Sequence, residues 1–127
     1  MPPPNEDEAM LRGAWRLLRD ALGHLAWSAP DQIAWLGSVM HPDELALDYD
    51  HAYRVSWMPR EAGWIRDELS RLLAEIDRLT AELTEEGPAP WSAEGLQSHP
   101  TWQRLRVLAC QALALMPPTP WDGDPDS

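Results

Sequence analysis

The stretch Leu45-Ala-Leu-Asp-Tyr-Asp-His-Ala-Tyr-Arg-Val-Ser-Trp57 decides the fold class, because it fits two kinds of secondary structure. Strict alternation of apolar and polar residues is typical of a half-buried strand. Here every odd position except His51 is apolar or aromatic: Leu45, Leu47, Tyr49, Tyr53, Val55 and Trp57. A strand needs a partner, however, and the chain contains no second alternating run. The strand interpretation is therefore the weaker of the two.

The helical interpretation of the same stretch begins at Pro42. Proline suits the first position of a helix, and Asp43 and Glu44 suit the positive end of the helix dipole. Apolar and aromatic side chains then fall on one helical face: Leu45, Tyr49, Ala52 and Tyr53. We predict a helix that begins near Pro42 and ends near Arg54.

Helical patterns also precede and follow this stretch. Apolar residues recur every three or four positions between Asn5 and Trp27, and Ser28-Ala-Pro-Asp31 is typical of a capped start to a short helix that ends near Gly37. The strongest pattern predicts one continuous helix from Pro59 to about Glu85, which Gly87-Pro88 ends. Its heptad seam comprises Ile65, Leu69, Leu72, Ile76, Leu79 and Leu83.

The C-terminal part of the chain predicts two more helix starts. Trp91 before Ser92 resembles a hydrophobic staple, and a break at Ser98-His-Pro100 restarts a helix that runs to Met116. Four tryptophans lie on or beside helical apolar faces and are expected in the core or at its edge: Trp15, Trp35, Trp64 and Trp102. Cys110 lies on an apolar helix, where we expect a buried, inert thiol.

These patterns predict an all-α protein with an irregular bundle of four to five helices. A chain of 127 residues, 44% of them hydrophobic, is enough for one domain with a real core. We place that domain at residues 6–116, after a short proline-rich tail at 1–5. Residues 117–127 are rich in proline and acid and contain Trp121, and we expect them to be extended.

Composition restricts the classes of function. The formal net charge of −11 repels nucleic acid and attracts basic proteins. No apolar run is long enough for a membrane span, the N-terminus has no signal-peptide pattern, and the single cysteine cannot form an intrachain disulfide. We therefore expect a cytoplasmic protein. All ten basic residues are arginine, phenylalanine is absent and tryptophan is frequent, which indicates a high-GC bacterial genome.

A metal site is the main chemical alternative. Asp48-x-x-His51 has the carboxylate–histidine spacing that helical bundles use for metals, with Glu44 one turn earlier, and Asp20 and His24 form a similar pair. On the helix at 42–54, however, the candidate ligands lie opposite the apolar face. We predict no metal and no cofactor.

The leading functional hypothesis is a non-enzymatic module that binds a basic partner protein. Glycine-rich phosphate loops, serine elbows and paired-cysteine ligand sets are all missing from the sequence. In charge and size the chain is similar to small acidic helical inhibitors that neutralise toxins. A self-associating subunit that uses the 59–85 helix and a metal-dependent bundle enzyme are the alternatives. Carboxylates near residue 45 and tryptophans at element ends are the expected partner-binding residues: Asp43, Glu44, Asp48, Asp50, Trp57, Trp91 and Trp121.

Overall fold

Helices account for most of the protein in a computed structural model, which describes residues 6–37 and 41–122. The helices are α1 (Glu6–Ala26), α2 (Ala29–Leu36), α3 (Asp43–Arg54), α4 (Trp57–Glu61), α5 (Asp67–Glu85), α6 (Ala93–Ser98) and α7 (Pro100–Ala114), followed by a 3₁₀ turn at Pro120–Asp122. The described residues contain no strand, so the all-α prediction is confirmed. Five of the helices have eight residues or more and form the bundle, whereas α4 and α6 are short.

Helix α1 is the centre of the bundle and packs against α7, α3 and α4. Three acids in its first turn favour its start, and its buried stripe follows the helical repeat: Ala14, Trp15, Leu18, Ala21, Leu22 and Leu25. Trp15 and Trp102 are fully buried, while Trp35 and Trp64 are half-buried at the core edge, as predicted. None of the helices in the described ranges is long and apolar enough to cross a membrane.

Gln32 joins three helices at one end of the core. Its side chain is completely buried, and its amide nitrogen donates to the carbonyls of His24 and Leu25 at 3.1 Å each. These carbonyls lie in the last turn of α1, where no intrahelical donor remains. The amide oxygen of Gln32 accepts two hydrogen bonds from the guanidinium of Arg106 on α7. The short helix α2 is thereby fixed to α1 and α7.

The predicted continuous helix from Pro59 to Glu85 is wrong, because Gly63 ends α4. Gly63 has φ +83, a left-handed conformation that favours glycine. Its N–H donates to the carbonyl of Arg60 at 3.1 Å, and the N–H of Trp64 donates to the carbonyl of Pro59 at 3.0 Å. This is the Schellman arrangement that closes helices. The chain restarts as α5 only at Asp67.

The interruption changes which residues of α5 face the core. Ile65 is buried but lies outside the helix, and Leu72 of the predicted seam is only half-buried. Leu73 takes its place, and the buried residues of α5 are Leu69, Leu73, Ile76, Leu79, Thr80 and Leu83. This seam is covered by the chain's own α7 and α3.

Cys110 is exposed, so the prediction of a buried thiol is wrong. The buried positions of α7 are Trp102, Leu105, Leu108, Ala109 and Ala112. Because Ala109 occupies the core position, the next residue projects about 100° away around the helix, towards solvent.

The expectation of an extended C-terminal segment is wrong for residues 120–122. After α7 the chain folds back on α1 as a strap, which comprises residues 117–122. Prolines provide no backbone donors in this segment, but their carbonyls can accept hydrogen bonds. The indole N–H of Trp15 donates to the carbonyl of Pro117 at 2.9 Å, and Arg19 Nε donates to the carbonyl of Met116 at 3.2 Å. Residues 1–5 and 123–127 of the predicted tails lie outside the described residues.

Trp121 holds the end of the strap through its ring. The guanidinium carbons of Arg16 and Arg12 lie 4.8 Å and 5.2 Å from the centre of its ring, within the range of cation–π attraction. Its ring centre is also 5.7 Å from that of Trp64. Trp121 is half-buried and bound by its own chain.

Replacing Gly63 with alanine should lower the free energy of unfolding by about 1 kcal/mol, because the left-handed conformation is unfavourable for any residue with a Cβ. Gly13→Ala is the matched control. Gly13 lies inside α1, where an added Cβ meets no atom within 4 Å, so this change should stabilise by roughly 0.5–1 kcal/mol. Denaturant unfolding of both variants measures the difference. Equal effects of the two changes would contradict the assignment of Gly63 as the end of α4.

Candidate functional site

Helices α3 and α5 are joined by a buried hydrogen bond. Tyr49 on α3 is completely buried, and its hydroxyl donates to the carbonyl of Leu73 on α5 at 2.7 Å. Burial raises the pKa of the Tyr49 phenol far above its ordinary value, and the neighbouring Tyr53 and Asp77 add to the shift. The ring of Tyr53 stacks on that of Tyr49 at 5.7 Å. The hydroxyl therefore stays protonated and fixes α3 against α5.

A groove lies between these two helices and has a volume of about 530 Å³. Ligand sites in proteins usually have volumes of about 300–1,000 Å³, so it can receive several side chains of a partner. Much of its lining is apolar, from Ala46 and Leu47 on α3, Ala81 on α5, and Pro88 and Trp91 after α5. The side chain of Leu47 is 54% exposed, although it is a large hydrophobic residue.

The loop that ends the groove is firmly packed. The ring of Trp91 meets that of Trp102 edge-on at 5.6 Å, and Trp102 Nε1 donates to the carbonyl of Pro90 at 2.9 Å. Gly95 allows this approach, because a Cβ there would clash with the backbone of Pro90. The serine cap of the predicted staple is present, since Ser92 Oγ accepts from the N–H of Gly95 at 2.9 Å. Trp91 is thus a half-buried, positioned side chain at the groove.

Three carboxylates give the groove its charge. Asp43 lies 3.0 Å from Nδ1 of His41, and Asp50 lies 2.9 Å from Nε of Arg54. Within the described residues, Asp77 on α5 has no ion pair or side-chain hydrogen bond. Burial raises the pKa of Asp77, and the negative charge of Asp50 raises it further. The nearby positive charge of Arg54 opposes this shift only in part, so Asp77 is the carboxylate of the groove whose ionised form is disfavoured.

The predicted partner-binding residues fall into two groups. Asp43, Asp50 and Trp91 all line the groove. The remaining four, which lie elsewhere, are Glu44, Asp48, Trp57 and Trp121. Trp57 is 52% exposed at the start of α4, and Trp121 packs against Arg12 and Arg16 of α1.

Leu47, Asp77 and Ala81 line the groove but were not predicted as site residues. Leu47 looked like an ordinary position in an alternating or helical pattern. Asp77 directly follows the buried Ile76 in sequence, which marks it as an acid at the edge of the core face. The sequence does not indicate that this edge faces α3 rather than solvent, since this follows only from the packing of the two helices.

The structure brings together one pair of the metal-ligand candidates. His24 Nδ1 lies 3.3 Å from Asp48 Oδ2 across the contact between α1 and α3. The His24 ring also lies 4.8 Å and 4.4 Å from the rings of Trp27 and Trp35, which explains its position without a metal. Asp20, Glu44 and His51 are exposed, and no group of three potential ligands exists in residues 6–37 and 41–122. The absence of a bound metal stays a prediction.

Comparisons with family models, with curated proteins and with solved structures find no match for this chain.

Asp77→Asn should raise the free energy of unfolding at neutral pH, by less than about 1 kcal/mol, the range of exposed charge interactions. The folded-state pKa of Asp77 is raised, so its protonated form favours folding. Its contribution to stability is complete below the unfolded-state pKa and is lost as the pH rises through the folded-state pKa. The advantage of asparagine should therefore disappear as the pH falls below the ordinary carboxyl range.

Thermal unfolding from acid to neutral pH measures this effect. Glu61→Gln, which removes an exposed carboxylate outside the groove, is the control and should change stability by no more than about 0.5 kcal/mol. Destabilisation by Asp77→Asn at neutral pH would show that Asp77 is favourably paired and would contradict the description of the groove.

Proposed function

We propose that the protein is a non-enzymatic binding module that holds a basic partner protein in the groove between α3 and α5. The observation that carries the proposal is the combination of Asp43, Asp50 and Asp77 with an exposed apolar lining in one groove. Arginine and lysine have apolar stems and charged ends, so they can cover an apolar surface while their charges reach carboxylates. A neutral partner would leave Asp77 without an ion pair, and an acidic partner would add repulsion from all three carboxylates.

The existing ion pairs of the groove do not prevent binding. Asp50 and Arg54 are exposed, and so are His41 and Asp43, with side-chain exposures between 44% and 76%. Exposed pairs of this kind contribute only about 0–1 kcal/mol, so a partner's cation can replace or join them. A partner's cation can pair with Asp77 without displacing another group, because Asp77 forms no ion pair among the described residues.

The net charge of −11 supports the same function, because it attracts a basic partner from distances beyond direct contact. A charged protein attracts a partner of opposite sign before contact and increases the association rate. Toxin or nuclease inhibitors are one class that such a module fits, by its charge and size.

Self-association through the seam of α5 has less support. Leu69, Leu73, Ile76 and Leu83 are at most 2% exposed inside the chain's own bundle. A second copy could reach them only if the bundle opened. Among the described residues, no cluster of metal ligands supports the enzymatic alternative.

The proposal is tested by two variants that each lose three negative charges. The groove variant is Asp43→Asn/Asp50→Asn/Asp77→Asn, and the control variant is Asp20→Asn/Glu61→Gln/Glu68→Gln, whose residues are exposed and lie outside the groove. The wild-type protein is immobilised to capture its partner from a native lysate, and the purified partner is then used in surface-capture kinetics.

We expect a basic partner whose association rate falls steeply with salt, because the Debye length shrinks from about 10 Å at 0.1 M to about 3 Å at 1 M. The groove variant should associate roughly tenfold more slowly at low salt and dissociate faster, since it also loses contact charges. The control variant should lose only part of the association rate and should dissociate like the wild type. An acidic partner, or equal dissociation of both variants, would refute the proposal.

A further inference from the structure

The two carboxylates of α3 in the groove have a defined spacing. Asp43 and Asp50 lie on the same helix, about two turns or 10 Å apart along its axis at about 1.5 Å per residue. Leu47 lies between them, about one turn from each, and lines the same groove. The groove therefore presents acid, apolar and acid groups in a row.

An extended partner segment does not match this row. In a strand, residues on one face repeat at about 6.6 Å and 13 Å, because each residue advances about 3.3 Å and faces alternate. A helical partner matches it, since residues seven positions apart lie on one face about 10 Å apart, with the third or fourth residue between them. Helices that pack at about 20° keep this correspondence over two turns.

The two ends of the row differ in charge. Asp50 lines the groove opposite Asp77 of α5, and the charge of one acts on the other. The exposed Arg54 pairs with Asp50 and offsets part of this repulsion, which leaves two carboxylates beside one cation at this end. Asp43, at the other end, is one carboxylate beside His41. Two carboxylates suit a guanidinium, which has donors for more than one acceptor in a fixed plane, better than an ammonium.

We infer that the groove takes an amphipathic helix of the partner, in which two basic residues seven positions apart flank an apolar residue. The basic residue between Asp50 and Asp77 is an arginine, and the apolar residue covers Leu47 and Trp91. This inference rests on the proposed function of the groove and specifies its ligand. Recognition of a helix by an apolar groove is a common mode of peptide binding.

The test uses two synthetic alanine-based helical peptides of identical composition. The matched peptide carries arginines seven positions apart and a leucine four positions after the first. In the shifted peptide the second arginine is five positions from the first, which places it about 140° around the helix from the first arginine at about 100° per residue. Circular dichroism confirms that both peptides have the same helicity. Calorimetry at low salt gives the dissociation constants.

We expect the matched peptide to bind wild-type protein about tenfold more tightly than the shifted peptide, because only the matched peptide places both charges in the groove. Asp50→Asn/Asp77→Asn should abolish this preference, whereas the control Asp20→Asn/Glu68→Gln should keep it. Thermal unfolding of the first variant beside wild type checks that the variant is folded. Lysine in place of one arginine should weaken binding more at the Asp50–Asp77 end.

The outcome of the peptide experiment shows whether only the helical ligand is wrong or whether the proposed function is wrong as well. If both peptides bind equally and both lose affinity in Asp50→Asn/Asp77→Asn, the groove binds basic segments but does not select a helix, so the inference alone is wrong. If both bind equally to wild type and to this variant, the groove is not the binding surface, and the proposed function fails as well. Tighter binding of an extended peptide with the same residues would also overturn the inference.

Discussion

The hydrogen bond between the Tyr49 hydroxyl and the Leu73 carbonyl determines where the two walls of the groove lie. It joins the middle of α3 to α5 in a region without solvent, where a hydrogen bond is strong and an unpaired hydroxyl is costly. Leu45, Tyr49 and Ala52 place the buried face of α3 against the core. As a result, Leu47 and Asp50, which lie on another face of the same helix, line the groove. This contact therefore links the packing of α3 against the core to the position of the candidate site.

The groove contains two locally unfavourable features. Asp77 is half-buried without an ionic partner among the described residues, and Leu47 is exposed beside it. By contrast, the side chain of the buried Gln32 is satisfied by two backbone carbonyls and Arg106. Local departures from good packing and pairing are concentrated at functional sites, because the missing interactions are supplied by a ligand. A basic partner helix would supply both a cation and apolar cover.

The sequence predicts the parts of this fold that depend on local signals. The starts of α2, α3 and α6 follow from Ser28, Pro42 and Ser92, which act within one turn. It predicts α4 and α5 as one helix, because the strong apolar repeat continues across the left-handed turn at Gly63. The sequence also contains no local signal for contacts between distant segments. Asp77 faces Asp50, and Trp121 binds Arg16, only because helices far apart in sequence pack together.

The central claim is that the groove between α3 and α5 is the partner-binding surface, and a protein-observed nuclear magnetic resonance titration tests it most directly. Increasing amounts of the matched arginine–leucine–arginine peptide are added to labelled protein. Binding in the groove should shift the signals of the backbone amides of residues 43–50 and 77–84 and of the indole N–H of Trp91. Shifts concentrated instead around Trp64, Arg66 and Pro120, which line a separate groove beside the strap, would contradict it.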